Sequence, residues 1–307
     1  MSQNRNVSER LENAFPNIYT ISNLIFWAKS ILQKSNIDSP RLDAEIILSH
    51  ILHCKRIDLY VHPDRVVEDT VALTYKNAIQ KRAWRVPLQY ITNHEEFMSM
   101  DFYVDERVLI PRQETELLVE AVIKKLQSTP RNHEIIIVDI GVGSGNIAIT
   151  LAKKIENARI FAIDISPDAL EVANINARRH QVLDKIIFLC GDIYKPLEGY
   201  KLESKVDVIV SNPPYIATDE FHILQEEVRR FEPYNALVSG RNGLQMFCRI
   251  LKDAHAWLKP GGFIAMEVGE KQAQKVAQLI EDRGCFQKPE LIKDYQHIYR
   301  IVISKRL

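Results

Sequence analysis

The chain has 307 residues, of which 46% are hydrophobic and 26% are charged, and its 40 Lys and Arg residues balance 40 Asp and Glu residues. The hydrophobic fraction excludes a disordered chain, and no apolar run reaches the roughly 18–20 residues of a membrane-spanning helix. The net charge of zero excludes a protein that binds nucleic acid mainly through its total charge, although a local basic face is compatible with it. At about 100–200 residues per domain, we expect two domains.

The four cysteines, Cys54, Cys190, Cys248 and Cys285, are widely separated and show no zinc-ligand spacing. We therefore expect reduced thiols and no metal site. The first residues, MSQNRNVSER, carry no apolar stretch of signal-peptide type. These features predict a cytoplasmic protein that does not associate with membranes.

Residues 1–86 are predicted to form a helical domain. Apolar residues recur at spacings of three and four from Leu24 to Leu32, and a second apolar stripe runs from Leu42 to Ile51. A further helix is expected from Asp69 to Arg85. Aromatic and β-branched residues then indicate a short β-hairpin, which we place in a linker at residues 87–112.

Residues 113–307 are predicted to form an α/β domain, beginning with a helix at Glu114 to Leu126. Helical stretches then alternate with five runs of strand type, IIIVDI, ARIFAIDI, KIIFLCGD, VDVIVSN and GFIAMEV. Ser166 and Pro167 suit the N-cap and the first position of one helix. This alternation predicts a mostly parallel, doubly wound sheet with helices on both faces. Two final strands without a helix between them predict an antiparallel strand at one edge.

A glycine-rich turn, formed by Gly141, Val142, Gly143, Ser144 and Gly145, follows the first of these strands. Glycines let the backbone turn sharply and approach a ligand, and the following helix offers free N–H groups. Dinucleotide-binding turns read G-x-G-x-x-G, whereas this turn reads G-x-G-x-G. The shorter spacing favours a ligand without a pyrophosphate, such as S-adenosylmethionine; the alternative is a tight turn that binds nothing.

Two aspartates lie where the next two strands end. Asp164 follows Gly145 by 19 residues, a position from which a carboxylate can accept hydrogen bonds from both ribose hydroxyls. Asp192 is placed to accept a hydrogen bond from an adenine amine. The alternative for each is a solvated loop carboxylate.

The tetrapeptide Asn212, Pro213, Pro214 and Tyr215 ends the fourth strand, at the sheet edge where α/β domains bind ligands. The Asn212 side-chain oxygen and the backbone carbonyls around Pro213 are acceptors that could bind both hydrogens of a planar NH₂ group. The Tyr215 ring would pack against the plane of that group. The alternative is a rigid turn after a buried strand.

Together these motifs resemble S-adenosylmethionine-dependent methyltransferases that modify planar nitrogens. Three further segments, PRLDAEIIL (40–48), PLQYITNHEEF (87–97) and VLIPRQETELLV (108–119), narrow the resemblance to the HemK/PrmC family. Those enzymes are protein-(glutamine-N5) methyltransferases that act on peptide chain release factors. The resemblance runs through nearly the whole chain. It implies a Rossmann-like class I methyltransferase domain preceded by a small α-helical bundle and a β-hairpin linker.

The resemblance also implies roles for individual residues. The turn from Gly141 to Gly145 would bind the methionine moiety of S-adenosylmethionine, Asp164 the ribose, and Ile193 the adenine. Asn212 to Tyr215 would bind the substrate glutamine, with Asn212 also near the methyl donor. The catalytic residues would be Asn212, Pro213 and Tyr215. The glutamine would be that of the Gly-Gly-Gln motif of release factors, docked by the helical domain, with no metal, no direct nucleic-acid contact and a monomeric enzyme.

Two positions depart from the family pattern. The family commonly has Gly where Asn93 or His94 stands, and a second proline where Gln113 stands. Arg112, Glu114 and Glu116 are interpreted either as substrate-gating residues or as ordinary residues at a helix start.

Transfer to an amide nitrogen is expected to depend on alignment of nitrogen, methyl and sulfur. Acceptors at Asn212 and Pro213 would stabilise positive charge on the nitrogen, so no dedicated general base is needed. The same chemistry on a ribosomal protein glutamine, or on an exocyclic base amine of DNA or RNA, is the nearest alternative. A nucleic-acid enzyme would use a basic groove, whereas the basic residues of KRAWR, ARRH and EEVRR are interpreted as solvated faces. A nicotinamide-dependent oxidoreductase disagrees with the glycine spacing, and a non-catalytic binding module disagrees with the intact glycine turn and Asn212.

Overall fold

The computed structural model describes residues 15–16, 18–127 and 133–307. The segment MSQNRNVSER and the part of the polar break STPRNH up to Asn132 lie outside the described residues. The chain divides into two compact units: the residues up to Asn93 with Glu226–Phe231, and residues 94–225 with 232–307. Among the described helices, none combines the length and the apolar character needed to span a bilayer.

The helices and strands, numbered in chain order, have the following bounds. The helices are α1 (Ile21–Lys34), α2 (Pro40–Ile51), α3 (Asp58–Val61), α4 (Asp69–Ala83), α5 (Leu88–Thr92), α6 (Gln113–Gln127), α7 (Asn146–Lys154), α8 (Pro167–Arg179), α9 (Glu226–Phe231), α10 (Tyr234–Leu237), α11 (Gln245–Trp257) and α12 (Ala273–Glu281). The strands are β1 (Glu95–Phe97), β2 (Met100–Phe102), β3 (Ile135–Ile140), β4 (Ala158–Asp164), β5 (Ile186–Cys190), β6 (Val206–Ser211), β7 (Leu258–Glu267), β8 (Glu290–Lys293) and β9 (Tyr299–Lys305).

The first unit is a helical bundle in which α1, α2 and α4 pack against one another. The apolar stripe of α1 is buried, as its spacing predicts, and Thr20 caps this helix by accepting a hydrogen bond from the backbone N–H of Asn23. In α4, the fully buried Tyr75 donates its hydroxyl hydrogen to the Ala44 carbonyl at 3.0 Å. The predicted N-terminal helical region is therefore confirmed.

Buried charges link α9 to this bundle. Arg82 is only 9% exposed; its guanidinium lies 2.7 Å from the Asp43 carboxylate and 3.2 Å from that of Glu227. Arg85 contacts Glu227 at 3.0 Å. The interpretation of KRAWR as a solvated face is therefore wrong for Arg82, because its charge is neutralised inside the unit by partners that are distant in sequence.

A two-stranded hairpin opens the second unit. Its strands β1 and β2 are antiparallel, and both turn residues, Met98 and Ser99, have positive φ. The Glu116 carboxylate of α6 accepts a hydrogen bond from the Met98 N–H at 2.6 Å, which ties the hairpin to that helix. Asn93, which precedes the hairpin, also has a left-handed φ of 51°. Asn tolerates this conformation better than most residues, so Asn93 can adopt a turn that otherwise favours glycine.

The second unit is built on a seven-stranded sheet with the order β5-β4-β3-β6-β7-β9-β8. The pairs β3–β4, β4–β5, β3–β6 and β6–β7 are parallel. Strand β9 lies between β7 and β8 and is antiparallel to both. The predicted class of fold, a mostly parallel sheet with antiparallel pairing at one side, is confirmed.

Helices cover both faces of this sheet. One buried core joins alternate strand residues to α6, α7 and α8, and the other joins the intervening strand residues to α11 and α12. Ser166 caps α8 by accepting a hydrogen bond from the Ala169 N–H, and Pro167 is its first residue, as the sequence predicts. The connection after β3 runs to β4 on one side and the connection after β6 runs to β7 on the other, so a crevice forms outside the carboxyl ends of β3 and β6.

Candidate active site

A cavity of about 230 Å³ opens at the carboxyl ends of the parallel strands. Its wall combines the ends of β3, β4, β5 and β6 with the loop before α6, the start of α10, and residues of α8 and α11. The residues that line it are Arg107, Val108, Leu109, Ile140, Gly141, Gly143, Ile163, Asp164, Ile165, Ser166, Ala169, Gly191, Asp192, Ile193, Ser211, Asn212, Pro213, Pro214, Pro233, Asn235, Ala236, Met246 and Arg249. The cavity therefore brings together most of the motifs that the sequence singles out.

The glycine turn forms the floor between β3 and α7. Gly141 and Gly143 line the cavity, with φ of +79° and +54°, and a Cβ on Gly143 would meet no protein atom within 4 Å. At Gly145 a Cβ would lie 2.8 Å from Ile149 Cδ1, so this glycine lets α7 pack closely. Gly143 thus leaves open space that a ligand can approach, whereas Gly145 serves packing.

Asp164 organises the turn from the end of β4. One carboxylate oxygen accepts the Gly143 N–H at 2.9 Å, and the other accepts the Ser166 N–H at 2.9 Å. Burial raises the pKa of the Asp164 carboxyl, and these backbone N–H groups oppose that rise. Each oxygen keeps a further lone pair, so the carboxylate can still accept two hydrogen bonds from a ligand.

Asp192 and Ile193 lie beside the end of β5. The exposed Asp192 carboxylate contacts the Arg249 guanidinium of α11 at 2.5 Å, and all three residues line the cavity. Ile193 has a φ of 50°, which is unusual for a β-branched side chain. Arg249 occupies one oxygen of Asp192, so the other is the one that can face a ligand amine.

The tetrapeptide after β6 is held on the cavity wall. Ser211 donates its hydroxyl hydrogen to the Ile140 carbonyl at 2.7 Å, which fixes the end of β6 against β3. Asn212, Pro213 and Pro214 line the cavity. The Asn212 side-chain nitrogen donates to the Thr115 hydroxyl at 3.0 Å, so its oxygen is the end left to accept hydrogen bonds.

Tyr215 is placed differently from its three predecessors. Its carbonyl accepts a hydrogen bond from the Gln272 side chain at 2.8 Å, and it is not one of the residues that line the cavity. Burial raises the pKa of its hydroxyl well above the ordinary value. The contact of its ring with a planar substrate stays a prediction.

Comparison with known proteins gives the relationships of the whole chain. Residues 23–92 match the model described as the PrmC N-terminal domain, and residues 131–305 match the model described as a methyltransferase domain. Two relatives are both named release factor glutamine methyltransferase. The one from Nitratidesulfovibrio vulgaris is 38% identical, over 94% of this chain and 95% of its own. The one from Moorella thermoacetica is 40% identical, over 90% of this chain and 94% of its own.

The chain belongs to the release factor glutamine methyltransferase family. Its second unit is a class I S-adenosylmethionine-dependent methyltransferase domain. Among solved structures, a crystal structure of the hMettl16 catalytic domain in complex with a MAT2A 3'UTR hairpin superposes with a TM-score of 0.50. That likeness covers 78% of this chain and 84% of the other at 16% identity, so it shows the fold alone.

Family membership leaves open which side chains of the cavity contact ligands, and the structure separates the predicted residues into two sets. Val142, Ser144, Gly145 and Tyr215 are not among the residues that line the cavity, whereas the other predicted residues are. Val142 and Ser144 are 2% and 1% exposed. The proposed contacts of these buried residues with the methionine moiety stay predictions.

Two cavity walls were missed by the sequence analysis. One is Arg107, Val108 and Leu109, which precede α6; the other runs from Pro233 to Ala236. The first wall overlaps VLIPRQETELLV, so its position directly before a helix was a usable signal. The second wall has no comparable motif, and only the tertiary fold brings it to the cavity.

An ion pair between the partly exposed Arg112 and the buried Glu232 lies beside these two walls. The Glu232 side chain is 1% exposed, and its carboxylate lies 2.6 Å from the Arg112 guanidinium. The same carboxylate accepts the backbone N–H of Ile110 at 3.2 Å. Arg112 therefore acts as a structural tie beside the cavity, and Glu116 holds the hairpin, while Glu114 is exposed at the start of α6.

A second buried carboxyl lies under the glycine turn. Asp139 is 0% exposed, and neither side-chain oxygen has a hydrogen-bond partner among the described residues. Burial raises the pKa of Asp139 to about 8, the backbone N–H of Ala148 opposes the rise without reaching hydrogen-bond geometry, and the nearby charge of Asp164 adds to it. Asp139 lies two residues before Gly141 and is not among the residues that line the cavity. In the described part of the chain, no group of three or more His, Cys, Asp and Glu side chains is arranged to hold a metal ion.

Proposed function

We propose that this protein transfers the methyl group of S-adenosylmethionine to the side-chain amide nitrogen (N5) of the glutamine in the Gly-Gly-Gln motif of peptide chain release factors. The observation that carries the proposal is the combination, in one chain, of a PrmC N-terminal domain with a methyltransferase domain whose cavity presents the Asn212 amide. Relatives with the name release factor glutamine methyltransferase match more than nine-tenths of their own length.

The cavity residues fit S-adenosylmethionine. Gly143 leaves space that any Cβ would fill, and Gly141 turns the backbone next to the Asn212 carbonyl. We assign these glycines to the methionine moiety, Asp164 to the ribose hydroxyls, and Ile193 with Asp192 to the adenine. When bound, S-adenosylmethionine supplies an electrophilic methyl group on its sulfonium.

The substrate amide is assigned to Asn212 and Pro213. An NH₂ group has two donor hydrogens; the Asn212 oxygen and the Pro213 carbonyl can each accept one. Acceptors fixed in this way hold the nitrogen in one orientation and stabilise positive charge that develops on it. Methyl transfer leaves the amide nitrogen N-protonated and positively charged, and in that form it is acidic enough to lose its proton to water, so the chain needs no general base. Tyr215 is assigned to the glutamine by position in the motif.

The helical unit is assigned to the release factor. Its surface carries exposed apolar side chains: Phe26 is 76%, Val66 69%, Ile57 64% and Val61 61% exposed. These positions can bind apolar surface of a protein partner. The zero net charge of the chain does not favour a nucleic acid in that role.

A methyl-transfer assay with labelled S-adenosylmethionine tests the proposal. It offers a purified release factor, its variant with the Gly-Gly-Gln glutamine replaced, a ribosomal protein mixture, and nucleic acid. We expect label on the intact release factor alone. Label on ribosomal protein or nucleic acid would keep the chemistry and overturn the partner, and no label on any of them would overturn the function.

Asn212→Ala is the matched active-site control. Because it removes the side-chain acceptor, we expect the rate of transfer to fall about 100-fold or more. Affinity for S-adenosylmethionine, measured by calorimetry, should change far less. A folded variant that transfers methyl at the wild-type rate would contradict the assignment of Asn212.

A further inference from the structure

The two ends of the Asn212 amide have nearly the same shape but opposite hydrogen-bonding character. The oxygen end accepts and the nitrogen end donates. A substrate NH₂ group needs an acceptor, so an Asn212 side chain turned end for end would oppose it with two donors. Whatever fixes the orientation of this amide therefore decides whether the site can bind its substrate.

The structure contains a chain of hydrogen bonds that fixes this orientation. Asn212 Nδ2 donates to Thr115 Oγ1 at 3.0 Å, and Thr115 Oγ1 donates to Glu267 Oε2 at 2.6 Å. Thr115 is 1% exposed and Glu267 is 2% exposed. Neither belongs to the residues that line the cavity, so both act from behind its wall.

The donor and the acceptor in each of these two hydrogen bonds follow from the number of hydrogens that each group can donate. An ionised carboxylate can only accept, and a threonine hydroxyl has a single hydrogen to donate. Once Thr115 donates that hydrogen to Glu267, its lone pairs can only accept. They receive the Asn212 N–H, which leaves the Asn212 oxygen for the cavity.

We propose that Thr115 and Glu267 are positioning residues for methyl transfer, which hold the Asn212 amide with its oxygen toward the substrate nitrogen. The effect on methyl transfer rests on the proposed function. The orientation of the Asn212 amide rests only on the two hydrogen bonds. Neither residue touches substrate or cofactor in this account. Both act through Asn212.

The surroundings of Glu267 make these two hydrogen bonds sensitive to pH near neutrality. Burial raises the pKa of Glu267 to about 7, and the neighbouring Glu114 also raises it. The Thr115 hydrogen bond and the positive charges of Arg300 and Arg112 oppose the rise, and the buried, neutral Tyr215 also faces this group. Below pH 7 the protonated carboxyl can donate to Thr115, which then can donate to the Asn212 oxygen. The productive orientation is therefore favoured above pH 7.

Four substitutions test the proposal. Thr115→Val removes the hydroxyl at nearly constant volume, and Glu267→Gln replaces the obligate acceptor with a group that can donate. Thr115→Ser keeps the hydroxyl. Thr150→Val is the matched control, because Thr150 is also fully buried and donates to the Asn146 carbonyl at 2.6 Å, away from Asn212. The readouts are single-turnover methyl transfer to release factor, calorimetric affinity for S-adenosylmethionine, and thermal unfolding.

We expect Thr115→Val and Glu267→Gln to lower the single-turnover rate at saturating substrates by at least about tenfold, the loss of roughly one hydrogen bond. Affinity for S-adenosylmethionine should stay within about twofold, and Thr115→Ser should restore most of the rate. Thr150→Val should keep the wild-type rate even where it lowers the unfolding temperature. The wild-type rate should rise with pH through about 7, and this dependence should disappear in Glu267→Gln.

A second readout does not need the methyl acceptor. In protein labelled with ¹⁵N-asparagine, the Asn212 side-chain NH₂ signals are identified by their loss in Asn212→Ala. The hydrogen-bond chain predicts that these signals shift in Thr115→Val and in Glu267→Gln but not in Thr150→Val. If they do not shift, or if both variants transfer methyl at the wild-type rate, the proposal is wrong. If the wild-type enzyme labels no release factor, the proposed function fails while the spectra still decide the orientation of Asn212.

Discussion

Alanine substitutions at Gly143 and Gly145 should separate ligand contact from packing within one turn. Both glycines have left-handed φ, +54° and +85°. A Cβ on Gly143 meets no protein atom within 4 Å, whereas a Cβ on Gly145 meets Ile149 Cδ1 at 2.8 Å and Ala173 Cβ at 3.2 Å. Gly143→Ala therefore adds a methyl group to the cavity, and Gly145→Ala adds one to a packed helix interface.

The expected loss of stability follows from these contacts. A non-glycine residue in the left-handed region costs about 1 kcal/mol, which applies to both substitutions. Overpacking adds about 1–3 kcal/mol at Gly145 alone. Since 1 kcal/mol shifts Tm by about 2–4 °C in a unit of this size, Gly143→Ala should lose roughly 2–4 °C and Gly145→Ala roughly 4–16 °C.

Affinity for S-adenosylmethionine should fall more in Gly143→Ala than in Gly145→Ala, the opposite of the order expected for stability. Gly143→Ala should weaken binding by at least about tenfold, because its methyl group occupies space assigned to the ligand. Gly261 supplies the matched control: it lies in β7 with φ +74°, no protein atom within 4 Å of a Cβ, and no place on the cavity wall. Gly261→Ala should lose as much Tm as Gly143→Ala and keep wild-type affinity.

Calorimetric titration of the three variants measures their affinity for S-adenosylmethionine, and scanning calorimetry measures their Tm. Unchanged affinity in a folded Gly143→Ala protein would refute the assignment of this turn to the ligand. A Gly145→Ala protein as stable as Gly143→Ala would refute the packing argument.

Three further substitutions test other parts of the molecule. Asp164→Ala should weaken S-adenosylmethionine binding at least about tenfold by calorimetry and change the single-turnover rate of the saturated enzyme much less, because we assign Asp164 to the ribose and not to the reacting atoms. The pKa of the Asp139 carboxyl is about 8 in the folded protein, so the folded state binds more protons than the unfolded state and stability falls as pH rises from about 4 to 8. Asp139→Asn should flatten that part of the wild-type curve of unfolding free energy against pH, and an unchanged slope would contradict the burial argument. Arg82→Ala should lower the free energy of urea unfolding by about 3–5 kcal/mol, since it leaves Asp43 buried without its cation; a loss below 1 kcal/mol would mean that the pair is solvated.

Local patterns in the sequence were sufficient for the elements of the fold. Apolar runs predicted the strands of the sheet, apolar spacings of three and four predicted the longer helices, and Ser166 with Pro167 marked the start of α8 to the residue. The tetrapeptide from Asn212 could be placed at the ligand-binding edge because every parallel strand of such a sheet ends there. These inferences depend only on neighbouring residues and on the general rule for parallel sheets.

Long-range contacts could not be inferred in the same way. Arg82 was interpreted as solvated because its acidic partners, Asp43 and Glu227, lie 39 and 145 residues away in the chain. The cavity wall from Pro233 to Ala236 carries no motif, so nothing local distinguishes it from an ordinary turn. Tyr215 shares a tetrapeptide with Asn212, yet it is not among the residues that line the cavity.

The hydrogen bonds from Asn212 to Thr115 and from Thr115 to Glu267 combine one neighbour of Asn212 that the sequence could predict with one that it could not. Ser211 of β6 pairs with Met266 of β7, so the next residues, Asn212 and Glu267, follow paired positions at one sheet edge, and strand order alone predicts that they are near each other. Thr115 comes from α6, 97 residues before Asn212, and no pairing rule places its hydroxyl between them. The reactive-site amide is thus presented by a local motif but oriented by a remote residue. A variant can therefore keep the whole Asn-Pro-Pro-Tyr tetrapeptide and still lose methyl transfer, if the residue at position 115 cannot both accept from Asn212 and donate to Glu267.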